Sequence, residues 1–214
     1  MQQLVIIDYH MGNLRSVANA FDTVSAGRAS VRISQDPRII AGADRVVFPG
    51  QGAARYCMAE LNRLRLTGCI RQAIRGKPFL GICMGLQVLL ESSEESPATA
   101  CLGLLQGQVR RFPEHDEQGR RLRIPQMGWN QVFQQGVHPL WRGIEEGTRF
   151  YFANSYYADP ADRRVVAAET PYGLRFASAL AHENLFAVQF HPEKSQRAGL
   201  QLLRNFLEWE PDGG

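Results

Sequence analysis

One cysteine stands between two glycines in Gly81-Ile82-Cys83-Met84-Gly85, directly after the apolar run Pro78-Phe79-Leu80 and directly before the helix-like stretch Leu86 to Glu91. This is a thiol version of the nucleophile elbow. The chain leaves a buried strand, turns sharply under strain and enters a helix, so the positions flanking the turn favour residues without a side chain. Such a turn lifts Cys83 out of a sheet to where a substrate can reach it. The first turn of the following helix offers unpaired N–H groups and the positive end of the dipole, which favour thiolate over thiol.

A thiol nucleophile needs a proton acceptor, and one lies far along the chain in Phe186-Ala187-Val188-Gln189-Phe190-His191-Pro192-Glu193-Lys194. Alternating Phe186, Val188 and Phe190 predict a strand that ends at His191. Pro192 biases His191 toward extended backbone, so the side chains of His191 and Glu193 can share one side of the chain. One imidazole nitrogen then faces the thiol while Glu193 fixes the tautomer through the other. Cys83, His191 and Glu193 are thus a candidate triad. Taken singly, each piece has a plainer meaning, a buried structural cysteine or a surface ion pair. Their joint placement at strand carboxyl ends favours chemistry.

With 214 residues, of which 44% are hydrophobic, the chain can bury one substantial core, and a single α/β domain over residues 1–214 is expected. Cys57, Cys69, Cys83 and Cys101 show no C-x-x-C pairing, and a chain of this length needs no disulfide staples. The start Met1 to Asp8 reads as a first strand rather than a leader, and no apolar run reaches membrane-spanning length. A cytosolic protein is the expectation. The net charge of +3 is small, and Arg110-Arg111 and Arg120-Arg121-Leu122-Arg123 flank a polar loop without interleaved aromatics, which argues against nucleic acid as partner. Five scattered histidines lack ligand spacing, so neither a metal nor another cofactor is called for.

Strand and helix patterns alternate through the first half. Leu4 to Asp8, Val31 to Ser34 and Arg45 to Phe48 read as strands, and Leu14 to Phe21 and the stretch that follows Pro49-Gly50 through Leu64 as helices. This predicts an open, mostly parallel twisted sheet with helices on both faces, whose ligands sit beyond the carboxyl ends of the strands. The turns Tyr9 to Asn13, Pro49 to Ala53 and Cys83 to Gly85 should gather on one rim. After about residue 105 the pattern changes to antiparallel hairpins, with strands at 107–112, 130–133, 149–153, 164–169 and 175–180. A closing helix runs from Arg197 to Trp209, and Ser92 to Ala100 reads as a loop of low order.

The turn Phe48-Pro49-Gly50-Gln51-Gly52-Ala53-Ala54 has the Gly-x-Gly of a dinucleotide loop, but Arg55 stands at the third glycine position. Its backbone N–H groups suit a developing oxyanion better. The Met84 N–H would be one donor and Gln51 or Gly52 the second. Residues alone leave two other readings open: an independent thiol hydrolase, or a binding subunit whose triad is idle.

Taken together, Gly81 to Gln87, Pro49 to Gly52 and His191 to Glu193 resemble the class I, or triad, glutamine amidotransferases. Within that superfamily, three stretches resemble the glutaminase subunits of imidazole glycerol phosphate synthases. They are Asp8-Tyr9-His10-Met11-Gly12-Asn13-Leu14-Arg15-Ser16-Val17, Pro125-Gln126-Met127-Gly128-Trp129-Asn130, and His191 to Ser195. The resemblance implies a flavodoxin-like amidotransferase fold and hydrolysis of L-glutamine to glutamate and ammonia. Gln87, with backbone groups of Gly50, Gly52, Ser155 and Tyr156, would hold the glutamine. Ammonia would pass to a separate βα-barrel cyclase subunit, the partner in a heterodimer, against which Asn13, Trp129 and Lys194 would lie. That cyclase would make imidazole glycerol phosphate and an aminoimidazole carboxamide ribotide in histidine biosynthesis. The sequence departs from the family pattern at four places. His10 replaces a usual glycine, Gln51 the commoner valine, and Gln126 and Asn154 the usual histidines.

Overall fold

The computed structural model describes residues 1–95 and 99–211. Its first half alternates as the pattern predicts: β1 (Gln2–Ile7), α1 (Leu14–Ser25), β2 (Ala29–Ser34), α2 (Pro37–Ala41), β3 (Arg45–Gly50), α3 (Ala54–Arg63), α4 (Thr67–Gly76), β4 (Phe79–Cys83) and α5 (Met84–Gln87). The second half is mostly strand, with β5 (Ser92–Ser93), β6 (Thr99–Ala100), β7 (Gly107–Arg111), β8 (Gln126–Gln131), β9 (Phe133–Gln134), β10 (Arg149–Asn154), β11 (Tyr156–Pro160), β12 (Val166–Pro171), β13 (Arg175–His182) and β14 (Leu185–Val188). It closes with α6 (Gln196–Glu208).

The sheet runs β2-β1-β3-β4-β14-β13-β11-β7-β5-β6, with β12 and β9 branching from β13. Strands β2, β1, β3, β4 and β14 are mutually parallel, and the order turns antiparallel at β13 and β11. Strands β8 and β10 form a separate antiparallel ribbon. Parallel strands covered on both faces read as unbroken apolar runs, and β1 shows why. Leu4 and Ile6 pack on one face with Val17, Phe21, Leu203 and Phe206 of α1 and α6, while Val5 and Ile7 pack on the other with Cys57, Leu61 and Ile70 of α3 and α4. Each such side chain, fully buried, contributes about 1.5–3 kcal/mol of transfer free energy.

The strand expected at 130–133 is divided between the end of β8 and the start of β9, the one expected at 164–169 begins only at Val166 after a 3-10 turn at Arg163–Val165, and three further expectations need correction. The run from Leu86 to Glu91 is helical only to Gln87. Leu86, Val88, Leu89 and Leu90 are all buried, and the carbonyls of Val88, Leu89 and Leu90 accept from the N–H groups of Leu102, Leu104 and Gly103, so a neighbouring segment takes the bonds a longer helix would use. Ser92 to Ala100 is not simply a loop, because β5 and β6 pair at its two ends, residues 96–98 lying outside the described residues. Strand β14 stops at Val188 rather than at His191. Beyond it the backbone finds other partners: Gln189 N–H donates to the Ser178 carbonyl at 2.9 Å and His191 N–H to the Tyr151 carbonyl at 2.9 Å.

Candidate active site

Cys83 is the last residue of β4, and β14 is its parallel neighbour, with Val188 opposite Ile82. The two carboxyl ends therefore lie side by side, which brings residues more than a hundred positions apart together. Cys83 sits at φ 55° and ψ −107°, a conformation that costs a non-glycine residue of the order of 1–3 kcal/mol and is held by its surroundings. The flanking glycines are needed for space. A Cβ on Gly85 would stand 1.8 Å from the Phe48 carbonyl oxygen, and one on Gly81 would stand 2.8 Å from the Gly85 carbonyl oxygen. Helix α5 is a single turn, and His191 stands beside the thiol at its start.

His191 is 3% exposed, and its Nδ1 lies 2.8 Å from Glu193 Oε1. Burial alone would push the imidazole toward its neutral form. Hydrogen bonds to Cys83 and Glu193, and the attraction of both groups, outweigh burial and raise His191 to about 10. The ring is therefore drawn toward imidazolium with its proton ready for a leaving group. Its backbone is pinned on both sides: His191 N–H reaches Tyr151, and Ser195 Oγ donates to the His191 carbonyl at 2.6 Å while accepting from Tyr151 N–H at 2.9 Å.

A cavity of about 570 Å³ opens over the thiol, and Gln51, Gly52, Met84, Gln87, Ser155, Tyr156, His191 and Lys194 are in its walls. The three turns do gather on one rim. A Cβ on Gly12 would touch Gly50 Cα at 3.4 Å, and one on Gly50 would meet the Tyr9 hydroxyl at 2.1 Å and Met84 Cβ at 2.8 Å. Gly50 thus lies behind the cavity wall, pressed between the buried Tyr9 and the elbow, and Gly52 takes φ 87°. A second cleft of about 400 Å³ lies by Arg111, Arg121 and Arg123, apart from these residues.

Two wall or sub-wall residues escape the sequence reading. Glu95 lines the cavity and accepts the Ala54 N–H at 2.6 Å; burial raises its carboxyl and that bond opposes the rise. Nothing in its local sequence separates it from its neighbours Glu91 and Glu94. Gln189 is fully buried, with Nε2 3.7 Å from Cys83 Sγ and Oε1 accepting from Gln87 Nε2 at 2.9 Å. Its signal was a polar residue at the position of the apolar strand run next to the histidine's own neighbour.

Trp129 is 42% exposed on β8, and its ring meets Tyr151 edge-on at 6.2 Å, so it is not a core aromatic. Lys194 is exposed, with Nζ 5.9 Å from the centre of the Tyr151 ring. Asn13 is exposed and caps α1, accepting the Ser16 N–H. The departures from the family pattern also find places. His10 takes φ 64°, the left-handed region glycine favours, and its ring is tied to Glu60 at 3.2 Å and Arg63 at 3.0 Å. Gln126 and Asn154, both buried, stand directly opposite each other across the β8–β10 ribbon.

A strand-to-helix thiol elbow facing a histidine–carboxylate pair across parallel strands is the arrangement expected of a triad amidotransferase site. The family model described as glutamine amidotransferase class-I matches residues 5–209, and the chain belongs to that family. It is 54% identical over 211 residues, 97% of this chain and 92% of the relative, to the imidazole glycerol phosphate synthase subunit HisH of Thiobacillus denitrificans. The subunit of the same name from Methylococcus capsulatus is 55% identical over 99% of this chain and 98% of its own length. The crystal structure of a glutamine amidotransferase from Thermotoga maritima shares the fold, with a TM-score of 0.68, 16% identity, and coverage of 97% of this chain and 96% of that one. The chain is an enzyme of the glutamine-hydrolysing class. No helix among the described residues is long and apolar enough to cross a membrane.

Proposed function

We propose that this chain is the glutaminase subunit of an imidazole glycerol phosphate synthase. The observation that carries the reading is likeness above 50% identity over nearly the whole of both chains to subunits of that name. The site supports it. Cys83 Sγ attacks the side-chain amide carbon of glutamine, and the oxyanion is met by N–H groups of Met84 and of Gln51 or Gly52. His191, held by Glu193, gives its proton to the departing nitrogen, which leaves as ammonia. A γ-glutamyl thioester remains. Water deprotonated by the same histidine then attacks it, the C–S bond breaks, and glutamate leaves. Gln87, Gly52, Ser155 and Tyr156 hold the glutamine, Gly50 lying behind the wall they form, with the Glu95 carboxylate on the cavity wall as a counter-charge for its ammonium.

Ammonia passes to a cyclase subunit, a separate βα-barrel chain, in a cytoplasmic heterodimer. Asn13, Trp129 and Lys194 form the docking surface: an exposed tryptophan edge-on to a tyrosine has the composition of an interface hot spot. The test is to purify the chain with the protein it retains from its own cells and to follow ammonia release from glutamine. Release that rises when the retained protein carries its nucleotide substrate supports the reading. A chain that hydrolyses glutamine at its full rate alone, and retains no cyclase, would overturn it.

A further inference from the structure

We propose that Gln189 is a positioning residue that fixes Cys83 with an N–H···S hydrogen bond and, through its oxygen, turns the Gln87 amide so that its own oxygen faces the substrate. The inference rests on the glutaminase reading for the substrate and on geometry for the rest.

Gln189 is entirely buried, where a primary amide must find partners for two N–H groups and one oxygen. Its main chain is anchored by the bond from its N–H to Ser178, and its side chain bridges two groups of the site. Nε2 lies 3.7 Å from Cys83 Sγ, and Oε1 accepts from Gln87 Nε2 at 2.9 Å. Gln87 Nε2 also donates to the Tyr156 carbonyl at 3.1 Å. Both of its N–H groups are thereby spent, and the amide cannot rotate without breaking two bonds. Gln87 Oε1, buried and in the cavity wall, has no hydrogen-bond partner among the described residues. An orphan acceptor held in one orientation, on a residue that lines the nucleophile's cavity, suits a donor on the ligand, and both the side-chain amide and the ammonium of glutamine are donors.

At the other end, an N–H aimed at sulfur stabilises the thiolate and limits the rotamers of Cys83. The charged or titratable groups facing Cys83 are His191, with Glu193 behind it, and the Tyr9 hydroxyl from the turn after β1. Unlike these groups, the Gln189 amide has no titratable proton, so its contribution does not titrate. It acts in any state of His191.

Two substitutions separate the two ends. Gln189→Glu keeps an oxygen for Gln87 but sets a carboxylate against sulfur. Gln189→Met keeps the volume and loses both bonds. The readouts are the rate of Cys83 alkylation by iodoacetamide against pH, followed on the Cys83 peptide by mass spectrometry, and KM and kcat for glutamine in the complex. For Gln189→Glu the alkylation midpoint should rise by about one pH unit, making the neutral-pH rate about tenfold lower, with KM within about twofold of the parent. For Gln189→Met alkylation should slow less and KM should rise about tenfold, as the Gln87 amide is released. Thermal unfolding checks each fold; if the glutamate variant does not fold, slowed alkylation together with raised KM in Gln189→Met carries the test. Alkylation profiles that coincide with the parent, or equal KM changes in both variants, would overturn the proposal. A parent complex that releases no ammonia would instead remove the glutaminase reading, while the alkylation profile still decides the bond to Cys83.

Discussion

The parallel half of the sheet and the β8–β10 ribbon handle burial in opposite ways. Strand β4 is buried at every position and ends in Cys83, whereas β8 alternates, with Gln126 buried and Met127 and Trp129 exposed at 67% and 42%. A strand covered on both faces holds a strained nucleophile rigidly; a half-covered ribbon leaves side chains for another molecule. The two regions meet where the carbonyl of Tyr151 on β10 accepts the His191 N–H, and Tyr151 carries Trp129 and Lys194 on its ring. A partner seated on the ribbon would therefore press on the strand that anchors His191.

If chemistry belongs to the parallel half alone, Cys83→Ala should lower glutamine-dependent synthesis in the complex by about 10⁴-fold or more, since nucleophile and base act as a unit. Turnover supported by added ammonium salts should be unchanged. An equal loss of both, with the complex assembled, would show that the roles are not divided.

Next in size, His191→Ala should cost about 10³- to 10⁴-fold in kcat and Glu193→Gln less, because the carboxylate orients the ring and carries no proton. Steady-state kinetics ranking Glu193 above His191 would contradict the assignment. The glycine-rich turn Gly50 to Gly52 supplies the third step. Without its oxyanion donor the rate falls about 100- to 1000-fold, so the isolated chain should be that much slower than the complex carrying cyclase substrate. Equal rates would exclude control through this turn.

A smaller effect is expected at the ribbon. Trp129→Ala should weaken partner affinity by about tenfold or more, with alkylation of Cys83 intact; calorimetric titration showing unchanged affinity would move the interface elsewhere. The smallest concerns pH. His191 is raised to about 10 from an ordinary value of 6.5, so the stability it contributes is fully present below pH 6.5 and lost as pH rises through 10. Cys83→Ala removes one cause of the rise. The His191 imidazole should then titrate lower by nuclear magnetic resonance, and the melting temperature should fall less between pH 7 and 10 than in the parent.

The chain's own sequence determined a good deal. Continuous apolar runs ending at Cys83, Gly50 and Ile7 mark strands covered on both faces, and their turns mark the rim, because local periodicity and glycine placement encode them directly. The same holds for the Gly-x-Cys-x-Gly elbow and for the His191–Glu193 pair, which are close in sequence. Helix α4 escaped the reading although Ile70 and Ala73 bury at helical spacing, since its apolar face is short and its remaining residues are polar.

Other features depend on which elements pack together. The truncation of α5 at Gln87 follows from carbonyls claimed by residues 102–104, and the bridge from Cys83 through Gln189 to Gln87 joins two distant chain segments. Periodicity reports which face of a residue is buried and against water; it does not report which distant amide or carbonyl will stand opposite. The class of chemistry was therefore written in local pattern, while the bonds that hold Cys83, His191 and the Gln87 amide in register were decided only when β4, β14 and the ribbon came together, because hydrogen bonds require partners that the sequence leaves a hundred residues apart.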